Sequence, residues 1–235
     1  MTVLLLRLAG PLQCWGDSSR FAGRDTGRFP TKSGVLGLLA AAQGRRRVEE
    51  IEDLAQLRFG VRIDQPGVMQ RDFQTAINWS TGKSMPLSYR YYLADAVFVA
   101  GVEGDSALLE ALDAALSDPV FPLYLGRRAC PTVGRVSLGV HDAPLEDALR
   151  GALWEAAAWY RRKQSHEVDL ELVVDALPDE ADVATIRDVP QSFNPERREY
   201  GWREVAKRPP VRVDNPLGLR PGAFGPNWLG TVEGA

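Results

Sequence analysis

Pro30-Thr31-Lys32-Ser33-Gly34-Val35 gathers a lysine ammonium, two hydroxyls and the free N–H groups of a helix start within six residues. Such a set can hold an anion, because a first helical turn offers unpaired backbone donors and the positive end of the helix dipole. It serves equally as a plain N-cap, with Ser33 closing the helix start. Leu125-Gly126-Arg127-Arg128 places two guanidinium groups after a small residue, which would let a phosphate come close; a surface charge pair uses the same residues. Ser88-Tyr89-Arg90-Tyr91-Tyr92 interleaves three aromatics with one arginine, the composition of a base-stacking platform. The competing reading puts at least one of these tyrosines in the core. All three segments suit holding phosphates and bases rather than breaking bonds.

Bond-breaking chemistry has little to stand on. Thr31-Lys32-Ser33-Gly34 resembles only the end of a nucleotide phosphate loop and lacks its upstream glycine. No G-x-G-x-x-G or G-x-S-x-G occurs. His141 and His166 sit in acidic neighbourhoods and read as solvated surface histidines. Cys14 and Cys130 have no partner near in sequence and read as small buried hydrophobes. Two cysteines make no disulfide framework, and no Cys or His pair has zinc-ligand spacing. Neither a metal nor a cofactor is expected.

Charge distribution says more than total charge. The 235 residues carry a net charge of −3, which averages unlike segments. Residues 1–47 hold 8 basic and 2 acidic side chains, whereas residues 101–182 hold 7 and 16. The first fifth of the chain is a local cation beside an acidic middle. Of the 28 basic residues 24 are arginine, through codon bias or because guanidinium forks suit phosphates and stack on bases. The 45% hydrophobic content excludes wholesale disorder. The longest apolar or glycine run, 34–42, is too short to cross a bilayer. The apolar N-terminus is broken by Arg7 and has no basic leader, so a cytoplasmic protein is expected.

The elements that must position these residues follow from periodicity. Residues 3–9 read as a buried first strand and 33–43 as a helix ended by Gly44, with the triple arginine 45–47 as a solvated helix exit. A short helix over 49–56 precedes a strand over 57–63, where Arg58 and Arg62 alternate with apolar residues and should face the open side of a sheet. Residues 64–88 lose periodicity; 89–100 return as a strand, 106–116 as an amphipathic helix, and 122–125 and 135–140 as strands. This order is the split βαβ, or ferredoxin-like, pattern, whose sheet carries helices on one face and leaves the other free. Beyond residue 141 a helix over 144–161 and strands over 167–175, 184–189 and 199–205 follow, the last two around a basic loop. The tail after Pro209 reads as loosely ordered.

At Leu4–Gly16 and Gly27–Leu39 the chain resembles the CasD family, a subunit of the type I-E CRISPR Cascade complex. The resemblance continues in order at 91–96 and 124–131, and more weakly at 186–190. It implies an α+β chain: a ferredoxin-like domain over 1–140 with a β-hairpin thumb at about 64–88, and a smaller β-rich part over 141–235. It also implies a non-catalytic subunit that holds the 5′ handle of the guide RNA, caps the backbone beside the large subunit and an adjacent backbone subunit, and meets target DNA only through the complex. Under that reading Arg28, Lys32 and Ser33 hold handle phosphates, Arg127 and Arg128 add backbone contacts, and Trp15, Arg90 and Tyr91 bracket splayed bases. Two rivals stay open: a metal-independent endoribonuclease of the same fold acting on repeat RNA, and a protein-only scaffold.

Overall fold

The first strand, β1 (Thr2–Ala9), has Val3, Leu4, Leu5, Leu6 and Leu8 all buried. A strand that is apolar on both faces must lie inside a covered sheet. The structure, a computed structural model, describes residues 1–16 and 23–219. After β1 come β2 (Leu12–Gln13), β3 (Gly23–Arg24), α1 (Lys32–Ala42), α2 (Glu52–Ala55), β4 (Arg58–Gln65), β5 (Val68–Gln74), β6 (Ser88–Ala94) and β7 (Val97–Gly104). Then follow α3 (Ser106–Ser117), β8 (Ser137–Asp142), α4 (Leu145–Gly151), α5 (Ala158–Arg161), β9 (Glu167–Asp175), β10 (Ala184–Ser192) and β11 (Glu199–Asp214). The chain is a mixed α/β protein made mostly of strands.

Seven strands form one antiparallel sheet in the order β10-β11-β9-β4-β7-β1-β8, so the C-terminal strands continue the sheet begun by the N-terminal ones. Alternation along β1 splits its side chains between two cores. Leu4, Leu6 and Leu8 meet α1 and α3 through Val35, Leu36, Leu39, Leu109 and Leu112. Val3 and Leu5 meet Leu145 and Leu149 of α4 on the opposite face. That second layer corrects the expectation of a free sheet face. Gly60 and Gly101 are cross-strand partners beneath α4, and their missing side chains admit the helix. A Cβ on Gly101 would stand 2.7 Å from Leu145 Cδ1.

The covered face also corrects the reading of Arg62, which is fully buried rather than facing an open side. Its Nε and Nη2 donate to the two Asp64 carboxylate oxygens at 2.7 and 3.0 Å. Nη1 donates to the carbonyls of Leu149 and Ala152, both at 2.7 Å, and Nη2 also donates to Leu153 at 2.6 Å. All five guanidinium donors are therefore satisfied. The same bonds explain why 144–161 is not one helix. Arg62 binds carbonyls at and beyond the end of α4, Asp64 Oδ2 accepts from Glu155 N–H at 2.7 Å, and the chain stays extended to Ala157 before α5.

Other departures have local causes. The strand expected over 89–100 breaks at Asp95, whose φ of 56° turns the chain from β6 into β7 in a different sheet. Gln13 Nε2 fastens that turn to β1, donating to Ala96 and Leu8 carbonyls at 2.7 and 3.1 Å. Residues 122–125 make only one bridge, Tyr124 with Pro131, and no strand. The aperiodic stretch 64–88 contains β5, which pairs along β6 as an exposed two-stranded arm with Trp79 99% exposed. β11 runs past Pro209 and Pro210 to Asp214, because these prolines fall where its ladder with β9 shifts register and no N–H is needed. Residues 220–235 lie outside the described residues.

One buried charge cluster docks the β10–β11 hairpin onto the start of α1. Asp188 accepts from the Lys32 backbone N–H at 2.8 Å and from Arg203 Nε and Nη2 at 2.6 and 2.9 Å. Asp175 accepts from Lys32 Nζ at 3.2 Å, from Arg203 Nη1 at 2.5 Å and from Phe59 N–H at 2.9 Å. Two cations thus meet two carboxylates, with Phe59 beneath the Arg203 guanidinium at 5.3 Å. Burial opposes the charge on Arg203, yet Asp188 and Asp175 together hold its pKa above the ordinary value.

Removing one partner of such a cluster leaves a buried charge uncompensated, at about 3–5 kcal/mol. Asp188→Ala is expected to lower stability by about that much and to raise amide exchange across β10 and β11. Arg62→Leu should cost about as much in urea unfolding, and Arg62→Leu combined with Asp64→Leu only part of it. Carbonyls 149, 152 and 153 stay unpaired in that double variant. Unchanged unfolding midpoints would contradict the roles given to both clusters.

Candidate nucleic-acid interface

Thr31, not Ser33, caps α1: its Oγ1 accepts from Gly34 N–H at 3.2 Å. The outward face of the helix then presents Ser33, Gly34, Gly37, Ala40 and Ala41, so its backbone is covered only by small groups. This strip floors a groove of about 1600 Å³. Residues 121–131 form one wall and β10–β11 the other, with Arg45, Arg46 and Arg47 at the C-terminal end of the helix. Among the described residues seven arginines line it (Arg45, Arg46, Arg47, Arg127, Arg128, Arg187 and Arg198), and no acidic residue does. A cleft lined by one sign of charge focuses the field on polyanions.

The arginines divide by what already holds them. Arg45 is committed: it grips both Asp53 oxygens at 2.5 and 2.6 Å, and this bond holds the Asp53 carboxyl below its ordinary range. Arg127 donates to the Tyr91 carbonyl at 3.3 Å and lies 4.9 Å over the Tyr92 ring. Arg187 donates to the Tyr200 carbonyl at 3.1 Å. Arg46, Arg47, Arg128 and Arg198 are exposed and make no ion pair among the described residues.

Several expected site residues are placed elsewhere. Lys32 is 6% exposed with its ammonium on Asp175, and the anion position at the helix start is filled by the Asp188 carboxylate. It is therefore a structural cation and not a phosphate ligand. Trp15 is 1% exposed; its Nε1 donates to Gln13 Oε1 at 3.0 Å and its ring packs beneath Gly34, so no base can stack on it. Gly126 is exposed and lines the groove, and its φ of 81° sets its other side against the Cys14 carbonyl, where a Cβ would clash outright. Ser33, Arg127 and Arg128 do line the groove. Arg28 is exposed outside it; Arg90 and Tyr91 are half-buried on β6, with Tyr91 tied to the groove wall through Arg127.

Arg187, Phe193, Arg198, Tyr200 and Trp202 complete the second wall and were not singled out from sequence. The only signals for them were the basic loop between two short strands and the weak likeness at 186–190. The triple arginine, read as a solvated helix exit, also lines the groove. Neither histidine does. Burial raises both cysteine thiols, Cys130 to about 11, which disfavours their thiolate forms. No group of three or more His, Cys, Asp or Glu among the described residues could hold a metal. No described helix is long and apolar enough to cross a membrane.

Comparison with known proteins gives a consistent answer. Residues 3–206 match the family model described as CRISPR-associated protein (Cas_Cas5). The CRISPR system Cascade subunit CasD of Escherichia coli (strain K12) is 34% identical over 160 residues, covering 60% of this chain and 71% of that protein. A chain of a CRISPR RNA-guided surveillance complex is 32% identical with a TM-score of 0.74, over 94% of this chain and 95% of its own. The crystal structure of a Cas protein is 40% identical with a TM-score of 0.69, over 92% and 97%. The chain belongs to the Cas5 family of CRISPR-associated proteins.

Proposed function

We propose that this chain is the Cascade subunit that holds the 5′ handle of the guide RNA in the arginine groove over α1. The observation that carries the reading is the groove lining: among the described residues seven arginines, no carboxylate and a floor mostly of small residues that a sugar–phosphate backbone can approach closely. Membership of the Cas5 family and the similarity to CasD and to a surveillance-complex chain support a role in CRISPR defence. Arg46, Arg47, Arg128 and Arg198 supply the uncommitted charge, and Ser33 a hydroxyl at the floor. Beyond Arg127 the RNA path continues toward Tyr91, Arg90 and Arg28 on the smaller sheet.

In this reading the unit β1–α1–β4–β7–α3–β8, with strand order β4-β7-β1-β8, is a ferredoxin-like domain over 1–140. The β5–β6 arm is its thumb. Residues 141–235 add the smaller β-rich part, whose hairpin walls the groove. The chain binds rather than cuts RNA, needs no cofactor, works in the cytoplasm and joins the large subunit to the adjacent backbone subunit.

Each phosphate contact to a single strand releases condensed counterion, so log K falls against log salt with a slope of about −0.7 per contact. Arg46→Ala combined with Arg128→Ala should flatten that slope by about 1.4 and weaken handle RNA binding at moderate salt. Fluorescence anisotropy over a salt series reads both. Identical affinity and slope in the variant would remove the groove from RNA binding.

A further inference from the structure

The β10–β11 hairpin has two faces that do different things, although its ladder shifts register beside Asp188. Asp188 and Arg203 point inward into the buried charge cluster. Their chain neighbours Arg187 and Trp202 point the other way, into the groove. Trp202 is 67% exposed, the largest apolar side chain of a wall it shares with Arg187, Arg198, Phe193 and Tyr200. The Arg187 guanidinium lies 5.8 Å from its ring centroid and is held there by the Tyr200 carbonyl. The indole is therefore braced on one side by a cation and open on the other. Phe193 leans from the same hairpin toward α1, where a Cβ on Gly37 would touch its ring, so the wall reaches toward the floor.

We infer that Trp202, braced by Arg187, is a stacking platform for one unpaired base, so that the groove takes single-stranded RNA by base as well as by phosphate. This rests on the groove reading above and adds to it a defined subsite. A duplex would offer no free base face at that wall, whereas a splayed nucleotide places its phosphates on Arg128 and Arg198 and its base on the indole. The platform is rigid because the two residues flanking the outward pair in sequence, Asp188 and Arg203, are locked in the core. Stacking carries no net charge, so it adds affinity without adding salt dependence.

That separation makes the test specific. The full-length chain is titrated into a fluorescein-labelled single-stranded RNA of the handle sequence across a salt series. Trp202→Ala is expected to weaken binding about tenfold at every salt concentration with the slope of log K on log salt unchanged. Trp202→Phe should recover most of the loss, because it keeps a ring. Replacing the RNA nucleotides one at a time by abasic sites should reveal one position at which Trp202→Ala costs nothing further. If Trp202→Ala changes affinity less than twofold while Arg128→Ala still flattens the slope, the platform is refuted and the groove reading stands. If neither substitution matters, or the wild type fails to bind, both are refuted. A loss on Trp202→Ala that couples to no abasic position also overturns the platform.

Discussion

The contact between Asp188 and the first turn of α1 sets the shape of the whole interface. A carboxylate at a helix N-terminus is stabilised by free N–H groups and by the dipole, and here it also receives a bidentate guanidinium. Arg203 in turn holds Asp175, which receives Lys32 and the N–H of Phe59. Four charges from α1, β9, β10 and β11 are neutralised in one place, so the β10–β11 edge of the seven-stranded sheet is fixed against a helix. Without that docking there would be a basic helix face but no second wall, and no groove.

Arginine is used in two opposite ways in this chain. Arg62 and Arg203 turn inward and are structural, one with all five donors bound and holding the chain that crosses the sheet, the other paired with two carboxylates and holding the hairpin. Arg46, Arg128 and Arg198 reach into the groove without a counter-ion among the described residues. The planar fork with its five donors serves the first role, and the permanent, weakly hydrated charge serves the second. The acidic middle of the sequence contributes to both. Asp175 neutralises the buried cluster, while among the described residues no carboxylate lines the groove.

The legibility of this molecule from sequence follows the range of the interactions involved. The first strand, α1 and the helix α3 declare themselves through local period, α1 also through Gly44, and the arginines at 127 and 128 stand out as a pair. Where a long-range polar contact decides, local pattern misleads. Arg62 alternates with apolar residues like a solvent-facing side chain, yet Asp64 on its own strand and three carbonyls of the 149–153 segment hold it buried where the helix ends after Gly151. Lys32 sits where an anion-binding lysine would, but the anion is Asp188, 156 residues away. Trp15 looks available in a glycine-rich loop, whereas the helix packs on it. The second wall was hidden for the same reason: Arg187, Arg198 and Trp202 gain meaning only when the C-terminal hairpin is brought across to the N-terminal helix.

The central claim is that guide RNA runs along α1 between the 121–131 wall and the β10–β11 hairpin. Ultraviolet crosslinking of the assembled complex, followed by mass spectrometry of RNA–peptide adducts, tests it most directly. Adducts are expected on peptides spanning 33–47, 121–131 and 185–202 of this chain. Adducts confined to the face covered by α4, with none on those three peptides, would contradict it.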